Sequence, residues 1–279
     1  MRINKIKERN KGRRKRKMDY FCTKAKDMAL SKNRIKELAK YKQKKNRDEE
    51  GVFVAEGWKL VEELARKFEC TTLIVTEKAE AAAKSSGLKA ETASDDEMGR
   101  ITLMKTPREA YAIFKRPDTR ITKIDAKGLT LALDGVQDPG NVGTIIRTAD
   151  WFGIETVICT KDCAEPYGPK VVQATMGALG RVKVMETDNL SALLKDAAER
   201  GVSIYGTLLE GNDITQEKLS DNGVIVMGSE GNGLSKEVRE CVSQKLRIEN
   251  WPKGRETSES LNVAVATAIV CAEFRRGKR

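Results

Sequence analysis

Apolar residues recur in two alternating rhythms along most of the chain, one of period near 3.6 and one of short continuous runs. Ile35, Leu38 and Tyr41 fall at helical spacing among lysines, which predicts a helix over 33–45. Val52, Phe53 and Val54 read as a short strand. Gly57–Phe68 reads as a helix with Leu60, Val61, Leu64 and Ala65 on one face. Leu73–Thr76 predicts a strand and Ala79–Ser85 a helix. Thr106-Pro-Arg-Glu109 has the form of a capping box with proline at the first helical position, which predicts one further turn of helix. The polar stretch 118–128 (DTRITKIDAKG) then reads as a linker.

A second series begins with Leu129–Asp134 (LTLALD). Strands are predicted at Thr156–Thr160, Val182–Glu186, Ser203–Leu208, Val224–Met227 and Leu246–Glu249. Helices are predicted at Val142–Phe152, Pro169–Met176, Leu190–Arg200 and Lys236–Gln244, with a last long one from Ser260 to Arg275. Apolar strands alternating with helices argue for an α/β fold, a mostly parallel sheet with helices on both faces. The organisation is thus a tail over 1–30, a small α/β domain over 31–117, a linker over 118–128 and a larger domain over 129–279.

Charge changes this picture at one end only. The formal net charge is +11, but residues 1–47 hold 20 Lys and Arg against four acids, a net of +16, and the remainder is slightly acidic. A basic block of this kind, with KGRRKRK at 11–17, is attracted to polyanions through phosphate contact and counterion release; a solubility tail or localisation signal is the alternative. No apolar run approaches a membrane span, and the charged N-terminus does not resemble a secretion signal, so a cytoplasmic protein with reduced thiols is expected. The chain has six cysteines, no CxxC and no histidine, which argues against a metal site.

Three loops carry candidate chemistry, each placed where an α/β sheet presents its ligands. In Asp138-Pro-Gly-Asn-Val-Gly143, Pro139 and Gly140 turn the chain, Asn141 is positioned to cap a helix, and Arg147 lies two turns inside it. Gly228-Ser-Glu230-Gly-Asn-Gly233 follows VIVM. Its glycines are at the wrong offsets for a phosphate loop, and a glutamate in the bend would repel phosphate, so close approach of a flat uncharged group fits better. Glu259-Ser260-Leu261-Asn262 opens an apolar helix. Each loop alone is equally an ordinary helix cap.

Together, DPGNVGTIIRTADWFG (138–153), VIVMGSEGNGLS (224–235) and SESLNVAVATAI (258–269) resemble the three motifs of the SpoU/TrmH family of RNA ribose 2′-O-methyltransferases, in the SPOUT superfamily. AEPYGPKVVQATMGAL (164–179) is also similar. The likeness covers 129–279, and more faintly 33–117, which is similar to the RNA-binding domain that many members carry first. The resemblance implies a trefoil-knotted sheet, a homodimer, and S-adenosylmethionine held by backbone groups near Leu208, Gly228, Ile248 and Leu261, with Glu230 and Gly231 beside them. It implies a site built from Asn141, Arg147, Glu230, Ser260 and Asn262. The link ENWPKGRETSE (249–259) is longer than the family's usual one, which brings Trp251, Pro252 and Gly254 into consideration as pocket residues.

The family account makes Arg147 the base, yet an arginine stays charged at any ordinary pH. Arg147 is better suited to holding an RNA phosphate and stabilising a developing alkoxide, with the phosphate or water taking the proton. Asn141 and Ser260 are expected to orient that arginine and the ribose, Asn262 to support the loop, and Glu230 to organise the knot or the partner subunit's site. The resemblance implies structured RNA as substrate, ribosomal RNA before transfer RNA. A silent RNA-binding member of the fold and a base-methylating relative are the rivals; a dinucleotide-binding dehydrogenase lacks its glycine fingerprint here.

Overall fold

A computed structural model describes residues 30–276, apart from 126, 253, 254, 257 and 259. Residues 1–29 of the predicted basic tail and Gly254 therefore lie outside the described residues, whereas Leu30 packs with Ile35 and Leu38 in the core.

The first unit is a four-stranded sheet with helices on both sides. Its elements are α1 (Lys32–Ala39), α2 (Lys44–Glu49), β1 (Val52–Glu56), α3 (Trp58–Ala65), β2 (Cys70–Val75), α4 (Glu77–Ser86), β3 (Glu91–Thr92), α5 (Asp95–Ile101) and β4 (Ala110–Lys115). The strand order is β1-β4-β2-β3. Period-two alternation sorts the side chains: Val52, Val54, Tyr111 and Ile113 face α1 and α5, whereas Phe53, Ala55, Ala112 and Phe114 face α3 and α4.

Here the sequence reading needs three corrections. The helix predicted over 33–45 is broken by a 3-10 turn at Lys40–Lys42, after which α2 starts afresh. No helix follows Thr106-Pro-Arg-Glu109; residues 110–115 are β4, the strand between β1 and β2. Glu109 still caps a helix, but at a distance: its Oε1 accepts from Trp58 N at 2.9 Å, serving α3, whose own N-cap is a glycine. The local capping box is instead Ser94 with Glu97, opening α5.

The second unit holds β5 (Leu129–Asp134), α6 (Pro139–Trp151), β6 (Thr156–Thr160), α7 (Pro169–Thr175), β7 (Lys183–Thr187), α8 (Leu190–Glu199), β8 (Ile204–Asp213), β9 (Gly223–Gly228), α9 (Lys236–Arg239), β10 (Gln244–Arg247) and α10 (Val263–Arg275). Its six strands are all parallel in the order β10-β8-β9-β5-β6-β7. Leu131, Leu133, Val157, Ile225 and Met227 pack under α6 and α10; Ala132, Ile158, Val224 and Val226 pack under α8 and α9. Burial on both faces explains why these strands read as unbroken apolar runs. The helix predicted over 236–244 is one turn only, because residues 244–247 are drawn into the sheet beside β8.

The stretch 118–128 does not hang free. Glu186 N donates to Thr119 O at 2.7 Å, Thr119 Oγ1 donates to Glu186 at 2.8 Å, and Ile124 is 1% exposed among the α8-side core. The two units share one apolar core in which Phe53 meets Tyr167, ring centroids 5.2 Å apart. Arg47 and Glu165 are paired across the junction at 2.9 Å, with 5% and 18% of their side chains exposed.

Candidate active site

The three loops singled out in the sequence meet at the carboxyl ends of β5 and β9. Asp138, rather than Asn141, caps α6: its Oδ1 accepts from Asn141 N at 2.8 Å. That correction frees the Asn141 side chain, whose Nδ2 donates to Glu230 Oε1. Asn262 Nδ2 donates to Asn141 Oδ1 at 3.0 Å and also to Glu230 Oε1 at 3.3 Å. The Asn262 Oδ1 caps α10 by accepting from Ala264 N at 3.0 Å and Val265 N at 3.3 Å. Two amides and one carboxylate thus tie together segments 121 residues apart.

The Glu230 loop is itself closed. Ser229 and Gly233 exchange backbone hydrogen bonds at 3.1 and 2.9 Å, and Asn232 N donates to Ser229 Oγ at 3.1 Å. A Cβ on Gly228 would sit 2.2 Å from Gly233 C, so the bend requires glycine there. At its far end, Ser235 N donates to the buried Asp134 carboxylate at 2.7 Å, locking the loop to the tip of β5.

Arg147 lies elsewhere on α6. It is exposed, and among the described residues no hydrogen bond or ion pair of its side chain is present. Six residues beyond Asn141, it points from a different side of the helix, in line with exposed Thr144 and Trp151, the latter 84% exposed. No hydrogen bond joins Asn141 to Arg147 in this structure; the Asn141 amide is held by Glu230 and Asn262. Ser260 is exposed and stands outside that hydrogen-bonded cluster among the described residues.

For the cofactor, the observation that counts is in β8. Its pairing with β9 ends at Gly206, and its register with β10 jumps from Gly206 to Asn212. Residues 207–211 have no residue-for-residue partner in either ladder, so β8 is bulged at Leu208. Gly228 and Ile248 are half-buried at the same end of the sheet, and Gly231 and Leu261 are exposed, Leu261 by 47%. A bulged strand and a glycine bend beside apolar side chains suit a ligand that carries an adenine and a ribose, so these residues fit S-adenosylmethionine. The sequence reading missed the Glu165–Arg47 pair, which no local pattern announces, and the Asp138 cap, which the Asx-Pro turn does.

The arrangement is that of a SpoU-type enzyme. The SpoU rRNA Methylase family model matches residues 128–272, and the MRM3-like substrate binding domain model matches 32–112. The chain is 30% identical over 254 residues to the 23S rRNA (guanosine(2553)-2′-O)-methyltransferase RlmP of Bacillus subtilis, covering 90% of this chain and 99% of that one. Among solved structures it is similar to a TrmH-family protein from Porphyromonas gingivalis, with 40% identity and a TM-score of 0.78 over 88% of this chain and 98% of the other. It is also similar to the AdoMet-bound rRNA methyltransferase from Sinorhizobium meliloti, with 28% identity and a TM-score of 0.76 over 90% and 97%. The chain belongs to the SpoU rRNA methylase family.

Proposed function

We propose that the protein is an S-adenosylmethionine-dependent methyltransferase acting on a ribose 2′-hydroxyl of ribosomal RNA. The observation that carries the reading is the Asn141–Glu230–Asn262 knit, which fixes three family motifs around the end of one parallel sheet. RlmP and the AdoMet-bound relative support the substrate and the donor. Residues 31–117 act as the RNA-binding part, the segment 118–128 joins it to the methyltransferase part at 129–279, and the basic tail over 1–30 adds sequence-independent attraction to phosphate.

When bound, the donor supplies an activated methyl group, so the chain has chiefly to bind, align and manage one proton. Backbone groups at Leu208, Gly228, Ile248 and Leu261 would hold the cofactor, with Gly231 leaving the Glu230 loop thin at that wall. Glu230, accepting from both amides, keeps the loops at fixed separation so that the pocket is made before RNA arrives. Arg147 binds the phosphate next to the target ribose and stabilises negative charge on the 2′-oxygen as its proton leaves to that phosphate or to water. Ser260 orients the ribose.

Arg147, Thr144 and Trp151 form an exposed stripe, and Val265 on the neighbouring α10 is 51% exposed. This supports a homodimer through α6 and α10, with the site completed between subunits. The chain leaves β10 at the sheet edge and returns to the middle of the sheet before α10, a path consistent with the trefoil threading the family likeness implies. No helix among the described residues is long and apolar enough to cross a membrane, which fits work on ribosomal RNA in the cytoplasm.

The test is transfer of radiolabelled methyl from S-adenosylmethionine to ribosomal RNA from cells lacking the protein. The label should reside at one position resistant to alkaline cleavage on its 3′ side. Label on a base, or transfer RNA as the preferred acceptor, would redirect the reading. Absence of calorimetric heat with the donor or its demethylated product would end it.

A further inference from the structure

Between the two units lies a cleft of about 380 Å³, away from the hydrogen-bonded cluster but sharing the α6 entrance. One wall is Lys42, Arg47, Thr102 and Leu103 from the first unit; the other is Pro139, Glu165 and Gly168 through Val171 from the second. Pro139, in its second wall, stands two residues before Asn141 at the start of α6.

Its charges are arranged asymmetrically. Arg47 is spent structurally: Nη2 pairs with Glu165 at 2.9 Å and Nη1 donates to Tyr41 O at 2.9 Å, while Nε is buried with no acceptor. The Glu165 charge is thereby neutralised within the floor. Lys42 donates to the neutral carbonyl of Arg100 at 2.9 Å, and Lys170 is exposed with no ion pair among the described residues. Lys42, whose charge also reaches the buried Glu56 carboxylate behind Thr102 and Leu103, and the unpaired Lys170 thus line the cleft from its two sides, among the apolar Leu103, Pro139, Pro169 and Val171. Low-dielectric walls of this kind concentrate a positive field. The volume lies within the roughly 300–1,000 Å³ of small-ligand clefts, room for one nucleotide unit rather than a duplex.

We propose that this cleft seats one nucleotide of the RNA strand flanking the methylated residue. Lys42 and Lys170 clamp its phosphate from the two units, and Leu103 and Pro139 pack against its sugar or base. The inference rests on the RNA methyltransferase reading. It assigns the junction between the units a direct role in aligning the strand, because a phosphate held by both lysines fixes the distance from the first unit to α6.

The test uses the full chain with Lys42→Gln/Lys170→Gln, and a charge-matched control, Lys84→Gln/Lys195→Gln, at exposed lysines on α4 and α8. The probe is ribosomal RNA from cells lacking the protein, in binding titrations across salt and in steady-state methylation. The cleft pair should raise KM for RNA about fivefold or more with kcat nearly held, and should flatten the salt slope by about 0.7 for each phosphate no longer neutralised, as for single strands. S-adenosylmethionine binding should stay within about twofold. An unchanged slope and KM, or an equal effect in the control pair, overturns the cleft site while methylation by the parent protein continues. A parent protein that neither binds nor methylates RNA sinks the enzymatic reading itself.

Discussion

Asn262 and Asn141 are hydrogen-bonded side chain to side chain at 3.0 Å, and Asn262 spends its other end capping α10. One residue therefore does two separable things, and two substitutions separate them. Asn262→Ala removes both and should lower stability by about 1 kcal/mol, the usual cost of removing a cap. Asn262→Asp retains an acceptor for the cap but sets a carboxylate against Glu230 Oε1 and Asn141 Oδ1. It should keep the α10 cap and still lose methylation at least as severely. A fully active Asn262→Asp would show that the loop knit does not matter for turnover.

Arg147→Ala should reduce turnover by about 10²-fold or more, the scale of losing one positioned charge or donor at a developing oxyanion. Because the Arg147 side chain makes no hydrogen bond or ion pair among the described residues, melting temperature and S-adenosylmethionine affinity should hardly change. Arg147→Lys keeps the charge but loses the planar fork, and should recover only part of the rate. Near-normal single-turnover rates for Arg147→Ala would remove it from the site.

The ion pair of Arg47 with Glu165 predicts a stability effect at the junction of the units. Glu165→Gln leaves a guanidinium 5% exposed facing a neutral amide, at a cost on the order of 3 kcal/mol, the low end for a broken buried pair since Glu165 keeps some water. The double variant Arg47→Met/Glu165→Gln should be less destabilised than additivity requires, as read in a double-mutant cycle by chemical unfolding. Additive losses would mean that the two side chains are not coupled.

The large sheet was readable from the sequence because its strands are buried on both faces, so LTLALD and VIVM stand out from polar loops. The first unit was harder. AYAIFK is as apolar as those strands, but Thr106–Glu109 imitates a helix start, and only the distant Trp58 N–H, which Glu109 serves, explains the imitation. Leu246–Glu249 was placed two residues late, because β10 gets its pairing from the bulged β8 and no local pattern records that register jump. In the site, the residues came from motif likeness and the loops do meet. Which amide faces which oxygen did not follow, since Asp138 takes the capping role that Asn141 is equally suited to by type.

The gap between α6 and α7 offers a direct packing test. A Cβ on Gly143 would lie 2.4 Å from Ala174 Cβ and 2.9 Å from Val171 O, backbone that cannot swing away. Gly143→Ala should therefore destabilise by about 1–3 kcal/mol, the range for overpacking, even though alanine is the better helix former. Since Asn141 and Arg147 ride on the same helix, methylation should fall as well. A stabilised Gly143→Ala would mean that the two helices part without cost.

Cys163 gives the clearest pH signature. The neighbouring Cys159 thiol holds its thiol down at about 7 against the opposing effect of burial, with Thr160 and the Val136 N–H, 3.3 Å from the sulfur, adding to the lowering. Burial instead pushes Cys70 up to about 11 and Cys271 up to about 12. A thiolate is the reactive form, so alkylation of Cys163 should rise through neutral pH while Cys70 and Cys271 stay inert until far higher pH. The sign for stability follows: a thiol whose folded pKa lies below its unfolded value contributes stability above the unfolded pKa, and that contribution disappears as pH falls through about 7. Cys159→Ala should raise the midpoint of Cys163 alkylation, measured by mass spectrometry of the modified peptide against pH. An unmoved midpoint would show that Cys159 does not hold the thiolate.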